Sequence, residues 1–119
     1  LLRASDLVID ALLGYAIDGP PRENVATLIE RAVASDRRVL SLDLPSGMDP
    51  DTGDSLGAAI TANATMTVAL PKVGLLTEAG RARAGAIYLA DIGLPAALWR
   101  RAGVDVDDPF ADGPILRLD

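Results

Sequence analysis

The stretch Val39-Leu40-Ser41-Leu42-Asp43-Leu44-Pro45-Ser46-Gly47-Met48-Asp49 decides how the rest of the chain is read. It opens as an apolar segment of strand length and stops at a proline and a glycine, which cannot continue a ladder. Asp43 therefore falls at the carboxyl end of a buried strand, with Ser46 on the loop that follows. In an open α/β sheet, ligands bind just outside the carboxyl ends of the strands. Two readings of Asp43 stand side by side. It is a ligand-facing carboxylate, or it caps the turn by bonding its own backbone two residues on.

Upstream, Asp6-Leu7-Val8-Ile9-Asp10-Ala11-Leu12-Leu13-Gly14 has the same form. Its continuously apolar centre suits a parallel strand covered on both faces. Asp10 ends it as Asp43 ends the later strand, and the pair is expected to share one crevice. Gly14-Tyr15-Ala16-Ile17-Asp18-Gly19-Pro20-Pro21 is a loop on composition. It leads into a helix whose stripe is Val25, Leu28, Ile29, Ala32 and Val33, with Pro21 and Glu23 in the first turn. Strand, helix and strand make a βαβ unit with a right-handed crossover.

Downstream, Thr65-Met66-Thr67-Val68-Ala69-Leu70 reads as a third strand, rich in β-branched residues and ended by Pro71. Lys72 then stands at a third strand end, as a cation near an anionic ligand or near Asp43, or as a plain solvated lysine. Residues 74–85 are expected to be an irregular surface segment. Ala86-Ile87-Tyr88-Leu89-Ala90-Asp91-Ile92 alternates into a fourth strand, and residues 96–102 form a short helix carrying Trp99. Residues 103–119 read as an acidic tail that packs through Phe110 and Ile115-Leu116 or not at all. No repeat and no second domain are visible, so residues 1–119 are read as a single domain.

Composition narrows the chemistry. The chain has 119 residues, a net charge of −6, half its residues hydrophobic and few aromatics. An aliphatic core follows, and nucleic acid or an anionic membrane is a poor partner. Without Cys there are no disulfides or thiolate metal sites, and without His there is no imidazole catalysis. Acid–base work falls to carboxylates, Lys or Tyr. No signal peptide, membrane-spanning apolar run or lipidation motif is visible, so a soluble cytoplasmic protein is expected.

Three segments taken together carry a resemblance. They are residues 6–14 with Gly19-Pro20-Pro21-Arg22-Glu23, Leu42-Asp43-Leu44-Pro45-Ser46-Gly47-Met48-Asp49 with Thr52-Gly53, and Leu70-Pro71-Lys72-Val73-Gly74-Leu75-Leu76. Ala90-Asp91-Ile92-Gly93-Leu94-Pro95 follows at a fitting distance. The chain resembles the NAD(P)H-hydrate epimerases, the YjeF N-terminal domain family that includes the apolipoprotein A-I-binding proteins. The resemblance implies a Rossmann-like three-layer α/β fold with a mainly parallel sheet, and interconversion of the R and S epimers of hydrated NADH and NADPH. It implies Asp43 as the acid–base residue contacting the hydrated nicotinamide, and Asp10 and Ser46 as ligands of a potassium ion. It implies a substrate loop of Gly14, Tyr15, Ala16, Ile17, Asp18, Gly19 and Pro20, and an NAD(P)H-hydrate dehydratase as partner. Asp18 departs from the basic or neutral residue frequent in relatives, which disfavours a nearby pyrophosphate.

The family's Asn-Asn-Gly-Gly-Asp-Gly phosphate loop does not occur here. On the resemblance, the chain is the C-terminal half of the domain, lacking an N-terminal strand and helices. A homodimer or the remainder of the same domain is then expected to cover apolar surface. The competing reading is a non-catalytic nucleotide-binding or protein-interaction module that has lost the phosphate loop. A kinase is a third reading, opposed by the absence of a Gly-rich loop followed by Lys-Ser or Lys-Thr.

Overall fold

The computed structural model describes residues 2–101, 103 and 109–118. Its sheet runs in the order β1-β2-β3-β4-β5. Strands β1 (Leu7–Asp10), β2 (Arg38–Leu42), β3 (Ala64–Val68) and β4 (Ala86–Ala90) are parallel neighbours. Strand β5 (Ile115–Leu118) is antiparallel to β4. The helices are α1 (Glu23–Val33), α2 (Val73–Leu76), α3 (Glu78–Ala84) and α4 (Ala96–Arg101). The fold is the mainly parallel α/β class expected from the sequence.

Register shows which side chains share a face. Asp10 pairs with Ser41, Ser41 with Thr65, and Thr65 with Ile87. Alternation along each strand then places Val8, Val39, Thr67 and Leu89 on that same face. This face is the covered one. Ile29 and Ala32 of α1 pack on Val39 with Ile60 and Ala62, while Leu75 and Ala84 of α2 and α3 pack on Ile87 with Leu44 and Met48. The opposite face presents Leu7, Ile9 and Leu42, exposed by 48, 60 and 41 %. Strand β1 is thus covered on one face, not on both as its apolar run suggested.

Topology explains this one-sidedness. Each parallel strand is followed by its immediate neighbour, always in the same direction across the sheet. Right-handed crossovers taken in one direction all land on one face. Between β2 and β3 that crossover contains no helix. Residues 43–63 cross as irregular chain, pinned by a bridge between Met48 and Ser55, and bury Leu44, Met48, Ile60 and Ala62 where a helix would bury its stripe.

Several boundaries differ from those expected. Residues 74–85 are not irregular: α2 and α3 lie there. Glycine lowers helix propensity, but here backbones approach too closely for a side chain. A β-carbon on Gly80 would lie 1.7 Å from Gly74 O, and one on Gly74 would lie 2.6 Å from Asp49 O. Thr77 caps α3 by accepting from Gly80 N at 3.0 Å. Helix α1 starts at Glu23 with Arg22 as its cap, so Pro21 precedes it. The tail contributes β5, whose Leu116 and Leu118 align with Leu89 and Ile87 on the covered face. Residue 102 of the expected helix and residues 104–108 and 119 of the tail lie outside the described residues.

Candidate active site at the carboxyl ends of the strands

The first carboxylate, Asp10, ends β1 and is 3 % exposed. Burying a carboxylate is costly unless its oxygens are bonded, and here both are. Oδ2 accepts from Ser41 Oγ at 2.7 Å and from Ser46 N at 2.8 Å. Oδ1 accepts from Ser46 Oγ at 2.5 Å and, weakly, from Leu12 N at 3.5 Å. Ser46 Oγ also accepts from Leu13 N at 2.9 Å and lies 3.4 Å from Leu13 O. Asp10 thus clamps the loop after β1 to the loop after β2. Ser41, buried beside it, has no local sequence signal, because only its register opposite Asp10 marks it.

The second carboxylate, Asp43, follows β2 directly. It cannot bond the backbone N–H two residues on, because that residue is Pro45. Leu44 N instead donates to Leu42 O at 2.9 Å across Asp43, whose φ is +68°. This is a γ-turn of the rare, strained hand. Ala69, just past β3, repeats it with φ +64° and Leu70 N donating to Val68 O at 2.8 Å. Strained backbone of this kind clusters at functional sites. Asp43 Oδ1 accepts from Lys72 Nζ and from Thr67 Oγ1, the latter at 3.3 Å. Among the described residues nothing donates to Oδ2, and a β-carbon placed on Gly14 would lie 3.8 Å from it. The turn-cap role belongs to Asp49, which accepts from Asp51 N and Thr52 N at 2.8 Å each.

Leu13, residues 16–22, Asn24 and Val25 line an open cleft of about 540 Å³, in the size range of small-molecule sites. Of the expected loop, Ala16, Ile17, Asp18, Gly19 and Pro20 line it. Gly14 sits instead against Asp43, and Tyr15 is 65 % exposed and off the lining. Arg22 and Asn24, at the start of α1, also line the cleft, so a cation faces the same space as Asp18. Lys72 is not a solvated lysine, since its side chain is only 20 % exposed and it pairs with Asp43.

Among the described residues no cluster of three or more His, Cys, Asp or Glu could hold a metal. The donors around Asp10 are of another kind. A carboxylate, the Ser46 hydroxyl and the Leu13 carbonyl converge as oxygen-only ligands, the chemistry that hard cations take.

The family profile described as "YjeF-related protein N-terminus" matches residues 1–74. The chain belongs to this YjeF family. It is 40 % identical over 115 residues to an NAD(P)H-hydrate epimerase of Dehalogenimonas lykanthroporepellens, covering 96 % of this chain and 45 % of that protein. It is 42 % identical over 91 residues to another NAD(P)H-hydrate epimerase, from Limosilactobacillus fermentum, covering 76 % of this chain and 44 % of that one. A protein of Moorella thermoacetica named bifunctional NAD(P)H-hydrate repair enzyme is 40 % identical over 94 residues, with 79 % of this chain and 18 % of that one covered. A yeast crystal structure superposes with a TM-score of 0.73 at 21 % identity, over 96 % of this chain and 47 % of that chain. This YjeF-family chain spans just under half the length of the first two of these relatives. Among the described residues no helix is long and apolar enough to cross a membrane.

Proposed function

We propose that this chain contributes the catalytic carboxylate of an NAD(P)H-hydrate epimerase, an isomerase of nicotinamide cofactor repair. One observation carries the reading. Asp43 is held on a strained turn with one oxygen bound by Lys72 and Thr67 and the other, beside Gly14, without a donor among the described residues. That is the arrangement a single acid–base group needs.

The substrate class has a hydroxyl on the carbon next to the ring nitrogen. Inversion there needs only that the bond to one heteroatom opens and closes again on the other face. In the ring-opening route, Asp43 Oδ2 takes the hydroxyl proton and passes it to the ring nitrogen, which leaves with the electron pair of the carbon–nitrogen bond as a carbonyl forms. It returns that proton to the oxygen when the ring recloses. In the iminium route, the protonated carboxyl gives its proton to the departing hydroxyl, and the carboxylate recovers one from the water that adds to the opposite face. Neither route changes oxidation state or needs a covalent enzyme intermediate. General acid–base assistance of this kind contributes about 10²–10⁴-fold.

In this reading the cleft of residues 16–20 receives the dinucleotide, with Arg22 offsetting Asp18. Asp10 and Ser46, with the Leu13 carbonyl, would hold potassium. The cation would supply positive charge beside an anionic substrate on an otherwise acidic chain. A dehydratase is the expected companion activity.

A second reading is favoured by the open sheet face. With Leu7, Ile9 and Leu42 exposed, the chain is a binding or interaction module completed by a second copy or by further polypeptide. Two measurements separate the readings. Asp43→Asn should lower the rate at which the R-to-S ratio of hydrated NADH equilibrates by at least about 10²-fold, and unchanged turnover removes Asp43 from its role. Binding of NADPH hydrate without any turnover by the wild type favours the module.

A further inference from the structure

We infer that Lys72 is the positioning residue for the Asp43 carboxylate, binding Oδ1 so that Oδ2 alone is turned toward the Gly14 loop. The consequence for turnover rests on the epimerase reading above, whereas the geometry does not.

Lys72 precedes α2 with an extended backbone, φ −72° and ψ 143°, and its side chain makes no helix cap. It reaches back over the end of β3. The ammonium nitrogen has three hydrogens and meets three acceptors: Asp43 Oδ1, Val68 O at 3.3 Å and Thr67 Oγ1 at 3.4 Å. With its donors so used, Lys72 is not a spare cation awaiting a phosphate.

The acceptors themselves explain the role. Val68 O is the carbonyl that closes the γ-turn around Ala69, and Asp43 is the centre of the matching turn after β2. One ammonium group therefore ties together two strained strand ends on neighbouring strands. Strained conformations persist only where the surroundings over-determine them. Thr67 Oγ1 supports the same oxygen from below, donating to Oδ1 at 3.3 Å. A carboxylate turns about two side-chain bonds, so holding Oδ1 between two donors fixes the carboxyl plane and, with it, the position of Oδ2. Removing the ammonium leaves the Asp43 carboxylate, among the described residues, with the Thr67 bond alone, free to swing away from the loop.

The test is nuclear magnetic resonance of the isotopically labelled 119-residue chain, reading the Hα–Hβ couplings of Asp43. The wild type should show one fixed side-chain rotamer, and Lys72→Met averaged couplings. Lys72→Gln, which keeps a polar and shorter side chain, should show the same averaging and serves if the Met variant does not fold. Where the wild type epimerises, both variants should lose about 10–10²-fold in kcat with little change in KM, as expected when a reacting group is misplaced and not removed. An Asp43 rotamer as fixed in the folded variants as in the wild type overturns the inference whatever the turnover. A wild-type chain that binds but never epimerises removes the epimerase reading, while the couplings still decide the role of Lys72.

Discussion

Asp10→Ala tests whether the buried carboxylate is what joins the loops after β1 and β2. Two of its partners are entirely withdrawn from water, since Ser41 is 0 % and Ser46 1 % exposed. The change removes the acceptor of Ser41 Oγ at 2.7 Å and of Ser46 N at 2.8 Å. Each buried donor left unpaired costs about 1–3 kcal/mol, which gives about 2–6 kcal/mol for the two. Ser46 Oγ adds little, because it can turn to Leu13 O, 3.4 Å away. The Leu12 contact at 3.5 Å adds little either. Loss of the carboxylate also relieves its own desolvation, which offsets part of the cost. A net destabilisation of roughly 2–4 kcal/mol remains. Against a total of about 5–15 kcal/mol, that is a large fraction. Urea denaturation followed by Trp99 fluorescence is the assay. With a slope of about 1–3 kcal/mol per molar, the midpoint should fall by roughly 0.7–4 M. A midpoint within about 0.3 M of wild type at unchanged slope would refute the claim that Asp10 clamps the loops.

The remaining expectations concern packing and charge. Gly47→Ala should cost more than about 3 kcal/mol, because Gly47 has φ +87° and a β-carbon there would lie 2.1 Å from Ala58 O; a stable, soluble variant would contradict the close approach. Ile29→Ala, at 1 % exposure, should cost about 2–5 kcal/mol. Ile9→Ser, at 60 % exposure on the open face, should change the stability of the same chain by less than about 1 kcal/mol. Equal losses from the two in chemical denaturation would mean that the open face is covered. Asp49 is held below the usual carboxylate value of 3.8 by the N–H groups of Thr52 and then Asp51. The unfolded chain therefore takes up this proton first as pH falls. Its stabilisation is full above about pH 5, is eroded as pH falls through 3.8, and is lost below the lower folded value. The melting-temperature gap between wild type and Asp49→Asn should accordingly narrow in acid, and a gap constant from neutral pH to pH 3 would sink this account.

Much of the fold could be read along the chain, because local signals and tertiary demands agree there. The apolar run ending at Asp10, the stripe of α1 and the Leu42-Asp43-Leu44-Pro45-Ser46-Gly47 element each carry their own evidence of strand, helix or turn. Where the two conflict, the local signal points away from the structure. Gly74 and Gly80 argue against helix by propensity, yet close backbone approach requires them within α2 and α3. The four residues of β5 are too few to show a period, and their pairing partner β4 lies far back along the chain.

The candidate site divides in the same way. Residue type and spacing place Asp10, Asp43, Ser46 and Lys72 at or after strand ends, since prolines and glycines stop ladders wherever they occur. Which oxygen is held and which left open is not a property of any segment. It arises because parallel neighbours in register bring Ser41 to Asp10, and Thr67 and Lys72 to Asp43, from residues 24 to 31 positions apart. The open face has the same origin: each segment specifies an apolar strand, but the one-way order of right-handed crossovers settles which side of it is buried.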